Sequence, residues 1–170
     1  RAQVNAAIRA HFATTGALEV ETPILSASAN TEPNIQSFHT RFCGPVQGGK
    51  AERYLRTSPE FALKRLLAAG VGDCYELGRV FRDGEAGGRH NPEFTMLEWY
   101  RLGCDLGTLM DEVADLLQCL SGLVNQGLNV RRVSYDDLYR QHLGLDWRRD
   151  PLTALQAPLA RPTSTGSVPT

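Results

Sequence analysis

The spacing of apolar residues near the start of the chain changes from helical to alternating. Over residues 4–15 they recur about every four positions on one face, which predicts a helix, and Gly16 follows as a natural helix end. The next stretch, ALEVETPIL at 17–25, alternates apolar with acidic side chains and predicts a strand. Pro23 interrupts this strand, so we expect it at a sheet edge or a bend.

The segment 74–101 reads as two strands joined by a polar loop with three glycines at 83–88. In the second strand, a period of two assigns side chains to two faces. One face carries Phe94, Met96, Glu98 and Tyr100, and the other carries Glu93, Thr95, Leu97 and Trp99. The first face is an unusual core, because a carboxylate and a phenol interrupt its apolar side chains.

Shorter elements are predicted before this hairpin. Residues 37–42 and 54–57 read as short strands, with a hairpin loop at 44–52. A helix follows directly, with Ser58 as N-cap, Pro59 as the first helical residue and Glu60 in the first turn.

After the hairpin, apolar residues at a helical period predict a long packing helix over 105–120, and a shorter helix is predicted over 134–143. These elements predict one α+β domain over residues 1–150, an antiparallel sheet flanked by helices. The remaining residues, 151–170, are rich in Pro, Ser and Thr and lack an apolar face, which predicts a disordered tail.

Bulk composition narrows the range of functions. The net charge of -1 argues against a large generic nucleic-acid surface, and no apolar run approaches the roughly 20 residues that span a bilayer. The chain starts without Met, so we expect it to begin inside a longer gene product. The cysteines, which include no CxxC pair, are expected to be reduced thiols in a cytoplasmic protein and not metal ligands.

The hairpin also concentrates chemically active side chains. Cations at Arg82, Arg89 and His90 lie at its loop end, the ring of Phe94 follows, and the acid Glu98 lies further along the strand. Such an order suits a ligand that is anionic, then aromatic, then cationic. The alternative explanations are a surface ion pair for Arg82, a core ring for Phe94 and the helix dipole for Glu60.

Three segments carry a resemblance to a known family. VETPIL, TSPEFALKRLL and RHNPEFTMLEWYR resemble motifs 1 and 2 of class II aminoacyl-tRNA synthetases over roughly residues 4–145. They are most similar to the lysyl branch, and closer still to its short paralogues that ligate β-lysine to elongation factor P. Ser58 favours these paralogues, because the lysyl-tRNA synthetases usually carry alanine at that position.

The resemblance implies activation of lysine or β-lysine by ATP as an adenylate, and transfer to a lysine side chain of elongation factor P. It implies catalytic roles for Arg82 and His90. It implies ATP contacts from Arg82, Glu85, Arg89, His90, Asn91 and Phe94, and amino-acid contacts from Ser58, Glu60, Glu98 and Tyr100. It also implies a homodimer through residues 4–25, and Mg²⁺ held by residues of the second half of the catalytic domain. No metal ligand is assigned within this chain, and tRNA is a less favoured partner.

The sequence departs from the family pattern in two ways. The family motif Arg-x-Glu has Gly84 at its third position, with Glu85 one residue later. The glycine-rich motif 3 and its arginine are not found, so we expect an incomplete catalytic core with little or no activity by itself. Two alternatives stay open: a catalytic fragment of a lysyl-tRNA synthetase, and a non-catalytic truncated paralogue that binds nucleotide or dimerises.

Overall fold

The computed structural model describes residues 1–46 and 51–156, which divide between residues 128 and 129 into two compact units. In chain order the first unit contains α1 (Ala2–Thr15), β1 (Leu18–Glu19), β2 (Leu25–Ser26), β3 (His39–Arg41), β4 (Glu52–Leu55), α2 (Glu60–Ala68), β5 (Cys74–Phe81), β6 (Glu93–Tyr100) and α3 (Leu106–Gly122). The second contains α4 (Tyr135–Leu143) and α5 (Leu152–Gln156). The α+β class is confirmed. Within the described residues, no helix has the length and apolar character needed to cross a bilayer.

The strands form two three-stranded sheets, in the orders β1-β5-β6 and β2-β4-β3. Every pairing is antiparallel except β1 with β5, which is parallel. The prediction of an antiparallel sheet is therefore wrong for β1. The second sheet and α2 lie between β1 and β5 in the chain, and this connection is long enough for β5 to return in the same direction as β1.

The core of the first unit lies between the first sheet, α1 and α3. Phe12 is fully buried and stacks on Tyr75, with ring centroids 4.4 Å apart and planes inclined by 18°. Trp99 meets the same ring edge-on at 5.6 Å, and Leu97 packs against this cluster. The predicted division of β6 into two faces is thus confirmed, because Leu97 and Trp99 face the core.

The helix ends follow local chemistry. Gly16 adopts φ 77° after α1, and a side chain at this left-handed position would be strained, which confirms the predicted end. α3 begins after Asp105, whose carboxylate accepts a hydrogen bond from the Thr108 amide. α2 begins one residue later than predicted, since Pro59 is its N-cap. The Ser58 hydroxyl nevertheless accepts a hydrogen bond from the Glu60 amide at 3.0 Å.

The second unit is built on α4, as predicted. The Ser134 hydroxyl accepts a hydrogen bond from the Asp137 amide at 3.0 Å, and Gly144 ends the helix at φ 68°. Helix α5 lies within the segment predicted to be disordered. Residues 47–50 of the predicted hairpin loop and 157–170 of the predicted tail lie outside the described residues, so the disordered tail and the domain boundary at residue 150 stay predictions.

The buried phenol of Tyr75 gives a testable pH dependence. Burial, followed by the hydrogen bond that its hydroxyl donates to Glu19 at 3.0 Å, raises the pKa of Tyr75 to about 12 from an ordinary value of 10.0. Between these values the unfolded chain binds fewer protons than the folded chain, so stability falls as pH rises. We expect Tyr75 to contribute a loss of roughly 2 to 3 kcal/mol in the free energy of unfolding from pH 10 to 12.

Chemical denaturation of the wild type and of Tyr75→Phe across this range measures the contribution. Tyr75→Phe should show the shallower loss of stability with pH, whereas Tyr135→Phe, at an exposed position, should keep the wild-type slope. Equal slopes for the wild type and Tyr75→Phe would contradict the expectation.

Candidate functional site

Two hydroxyl groups hold the carboxylate of Glu98. The Ser58 hydroxyl donates to Glu98 Oε2 at 2.6 Å, and the Tyr100 hydroxyl donates to Oε1 at 2.8 Å. All three side chains are half-buried. Among the described residues, no arginine, lysine or histidine forms an ion pair with Glu98. The structure therefore brings three of the four predicted amino-acid contacts together around a carboxylate without a cation.

The environment of Tyr100 keeps its hydroxyl protonated. Burial, then the hydrogen bond to Glu98 and the charge of that carboxylate, raise the pKa of the Tyr100 phenol well above its usual range. The charge of Glu60 adds to the effect. Tyr100 is thus a permanent donor to Glu98 at neutral pH.

Glu60, the fourth predicted contact, is the first residue of α2 and is half-exposed. Its carboxylate pairs with Lys64, one helical turn later, at 2.5 Å. Exposed pairs of this kind contribute little to stability, so a ligand cation could displace Lys64 at small cost.

A cavity of about 410 Å³ adjoins this group of side chains. It lies between the segment 25–30 on one side and the segment 55–62 on the other, and both Ser58 and Glu60 line it. Since the Ser58 hydroxyl also contacts Glu98, Ser58 connects the cavity with the carboxylate.

Arg82 follows β5 and is only loosely held. Its Nε donates to the Thr57 carbonyl at 3.4 Å, its Nη1 lies 3.5 Å from Glu85, and its guanidinium carbon lies 5.3 Å from the centroid of the Phe94 ring. The side chain is 23% exposed. Because these contacts are long and therefore weak, the guanidinium can turn towards an anion with little loss of interaction energy. The structure brings together three of the predicted ATP contacts, Arg82, Glu85 and Phe94.

The other predicted ATP contacts lie in the loop of the hairpin. Arg89, His90 and Asn91 are exposed, and the loop closes on itself through two backbone hydrogen bonds between Gly87 and His90 at 3.1 and 3.2 Å. In the described part of the chain, no hydrogen bond or ion pair joins these three side chains to Arg82.

The structure also locates the departure at the third position of the Arg-x-Glu motif. Gly84 adopts φ 79°, a conformation that strains any other residue, and an added Cβ there would meet no atom. Glu85 pairs with Arg82, so its carboxylate faces that side chain.

Sequence reasoning missed a buried ion pair beside this site. Arg56 Nη2 lies 2.6 Å from Glu76 Oε1, and the two side chains are only 7% and 3% exposed. Thr22 bridges them, because its hydroxyl donates to Glu76 at 2.6 Å and accepts from Arg56 at 2.7 Å. Arg56 Nε also donates to the Arg79 carbonyl at 2.9 Å.

One signal could have found this pair. Glu76 lies directly opposite Glu98 in the register of β5 and β6. The sequence predicts the hairpin, and counting strand partners outward from its loop places Glu76 and Glu98 on the same face.

Gly78 makes room for the ion pair. A Cβ added there would lie 2.5 Å from Arg56 Nη2 and 2.9 Å from Glu76 Oε1, far inside contact distance. Because the guanidinium is fixed on several sides, we expect Gly78→Ala to lower the free energy of unfolding by about 3 kcal/mol, as other overpacked or broken buried networks do.

Urea denaturation of the wild type and of Gly78→Ala measures this effect. Gly122→Ala is the control, because nothing lies within 4 Å of a Cβ at Gly122 near the end of α3. We expect the control to be neutral or slightly stabilising. A loss below about 1 kcal/mol in Gly78→Ala would show that Arg56 can move aside.

The described residues offer no group for a metal ion. No three histidines, cysteines, aspartates or glutamates among them lie close enough to hold one. The resemblance assigns the Mg²⁺ ligands to the second half of the catalytic domain and none to this chain.

Comparison with known proteins identifies the family. The family model for "tRNA synthetases class II (D, K and N)" matches residues 1–157. Over 159 residues, covering 94% of this chain and 46% of the relative, the sequence is 48% identical to the elongation factor P (R)-β-lysine ligase of Yersinia enterocolitica. It is 47% identical to the ligase of the same name from Pseudoalteromonas translucida over 154 residues, covering 91% of this chain and 45% of that protein.

The chain spans about half the length of these curated relatives. The match covers both sheets and the helices around the candidate site, and it agrees with the α+β architecture. The chain belongs to the class II tRNA synthetase family.

Proposed function

We propose that this chain forms part of the active site of a ligase that activates lysine or β-lysine with ATP. In the whole protein, the activated acyl group is transferred to a lysine side chain of elongation factor P. The names of the similar proteins support this proposal, since each is an elongation factor P (R)-β-lysine ligase.

The observation that carries the proposal is the state of the Glu98 carboxylate. A half-buried carboxylate is costly unless a cation or strong donors compensate it. Here two neutral hydroxyls compensate it in part, and no cation of the described residues pairs with it. An ammonium group of a lysine-like substrate supplies the missing charge, and Glu60 offers a second carboxylate to a second ammonium group.

Arg82 and Phe94 support the nucleotide part of the proposal. Activation is an attack of the substrate carboxylate on the α-phosphate of ATP, which forms the adenylate and releases pyrophosphate. Negative charge grows on that phosphate, and the loosely held Arg82 guanidinium can turn to stabilise it. The exposed Arg89 and His90 are available to bind the outer phosphates. The Phe94 ring and Asn91 are available to contact the nucleoside.

In the second step, the activated acyl group is transferred from the adenylate to an acceptor, which is either a protein lysine or a tRNA. The neutral ε-amine of an acceptor lysine attacks the adenylate carbonyl, an amide forms, AMP leaves and the amine gives up a proton. The contact of Ser58 with Glu98 favours the protein-modifying ligase over a tRNA-charging enzyme, because a hydroxyl at this position is what distinguishes the paralogues in the resemblance.

The proposal is tested by transfer of labelled lysine and (R)-β-lysine in the full-length protein that contains this chain. We expect label on elongation factor P and little on tRNA. Efficient charging of tRNA would show a lysyl-tRNA synthetase instead. Failure of the full-length protein to bind lysine, (R)-β-lysine and ATP by calorimetry would contradict the proposed site.

We also propose a homodimer through residues 4–25, in the cytoplasm, where the translation factor that it modifies acts. The large apolar side chains Val4, Leu18, Ile24 and Leu25 are 40–54% exposed in this segment. Covering such a surface is favourable, and class II dimers are two-fold symmetric. Sedimentation equilibrium should give twice the chain mass, and Leu18→Glu should give a monomer.

A further inference from the structure

We propose that Arg56 and Glu76 are positioning residues of the amino-acid site, which keep the charge of Glu98 available for the ligand. Arg56 is the only buried arginine among the described residues, and its guanidinium pairs with Glu76. No internal cation of the described chain therefore neutralises Glu98. The inference rests on the proposed function, since it concerns the same site.

The register of the hairpin places the two acids side by side. Glu76 and Glu98 are directly opposite residues of β5 and β6, and such partners point to the same face with their Cβ atoms about 5 Å apart. Two like charges at this separation destabilise a sheet unless a cation compensates them. Arg56 compensates the charge of Glu76 through their ion pair, but it forms no ion pair with Glu98.

Arg56 is held far more firmly than Arg82. Its side chain makes contacts between 2.6 and 3.1 Å with Glu76, Thr22 and the Arg79 carbonyl, and it is 7% exposed. The hydrogen bond and the ion pair of the Arg82 side chain are 3.4 Å or longer, and this side chain is 23% exposed. Arg56 is thus a fixed charge, whereas Arg82 is free to respond to a ligand.

The backbone of Arg56 also positions the turn that carries Ser58. Its amide donates to the Ile24 carbonyl and its carbonyl accepts from the Phe81 amide, both at 2.9 Å. The residue is therefore tied by its backbone and its side chain to β5 and to the segment before β2, two positions ahead of Ser58. Ser58 can then reach Glu98 from a rigid base.

Removing the charge of Glu76 should turn Arg56 into a competitor of the substrate. In Glu76→Gln the guanidinium stays next to residue 76, and the carboxylate directly across the hairpin from residue 76 is Glu98. A buried charge without a partner is strongly unfavourable, so the guanidinium gains by pairing with Glu98. The ammonium group of lysine must then displace it.

The test compares lysine and ATP binding to the full-length protein that contains this chain, by calorimetry. We expect Glu76→Gln to raise the dissociation constant for lysine at least tenfold and to leave that for ATP within twofold. The matched control is Glu112→Gln. Glu112 also forms an ion pair with an arginine, Arg101, and accepts a hydrogen bond from a second residue, Trp99, but on the core side of β6. This control should lose stability and keep the wild-type affinity for lysine.

Two further variants keep the positive charge at position 56 and the negative charge at position 76. They distinguish an effect of charge from an effect of folding. Arg56→Lys and Thr22→Val should lower the unfolding temperature but change lysine affinity less than threefold. They also decide the question if Glu76→Gln fails to fold, since a tenfold loss of affinity in either variant would overturn the inference.

The outcomes distinguish the inference from the proposed function. If the wild type binds lysine and Glu76→Gln binds it equally well, the positioning role is wrong and the proposed site stands. If the wild type binds no lysine, both are wrong.

Discussion

Glu98→Gln is expected to raise the dissociation constant for lysine about 100-fold and to leave ATP binding unchanged. The glutamine keeps the size of the side chain and can still accept one of the hydrogen bonds from Ser58 and Tyr100. It cannot attract an ammonium group. Loss of a buried, charge-assisted contact costs about 2 to 5 kcal/mol, and each 1.4 kcal/mol is about tenfold in affinity.

Titration calorimetry with lysine and with norleucine gives the sharpest test, since norleucine lacks the ε-ammonium group. The wild type should prefer lysine strongly, whereas Glu98→Gln should bind the two ligands with similar affinity. Glu93→Gln is the control, because Glu93 is exposed and lies on the other face of the same strand. An unchanged preference for lysine in Glu98→Gln would remove Glu98 from the site.

Arg82→Lys is expected to slow adenylate formation in the full-length protein by about 100- to 1,000-fold. Lysine keeps the positive charge but loses the planar, forked donors that a guanidinium offers to phosphate oxygens. Removal of one such donor from a developing charge costs rates of this order. Exchange of labelled pyrophosphate into ATP, dependent on the amino acid, measures the effect.

Arg79→Lys provides the control for this substitution. Arg79 lies in β5, just before Arg82 in the chain, is more exposed and pairs with Glu93 at 3.5 Å on the other face of the hairpin. We expect its exchange rate to stay within twofold of the wild type. A similar loss of rate in both variants would indicate a structural effect on the hairpin, and no loss in Arg82→Lys would exclude a role in activation.

The sequence could predict those parts of the molecule that depend on local periodicity. Helix α1, the two strands of the hairpin and the cap of α4 follow from apolar spacing and from the chemistry of Gly16 and Ser134. The two faces of β6 follow from its period of two. The contact of Ser58 with Glu98 was anticipated only as membership of one pocket, and its hydrogen bond emerged from the structure.

Features that depend on distant residues could not be predicted in the same way. The parallel pairing of β1 with β5 leaves no local signal, because a two-residue strand looks the same in either direction. Arg56 and Glu76 were missed because a charged residue in a strand is read as exposed until its partner is known. The position of Arg82 over Phe94 depends on rotamers, which spacing does not encode.

The long connection from β1 to β5 also affects the order in which the molecule can fold. The hairpin of β5 and β6 closes over a much shorter stretch of chain, residues 82–92, so the strand face carrying Glu98 and Tyr100 can form early. Pairing of β1 requires closure of a much larger loop, which is slower because more chain entropy is lost. Substitutions in β1 should therefore accelerate unfolding more than they slow folding. The part of the site that lies on the hairpin, with Glu98 and Tyr100, is therefore expected to form earlier in folding than the part that depends on β1.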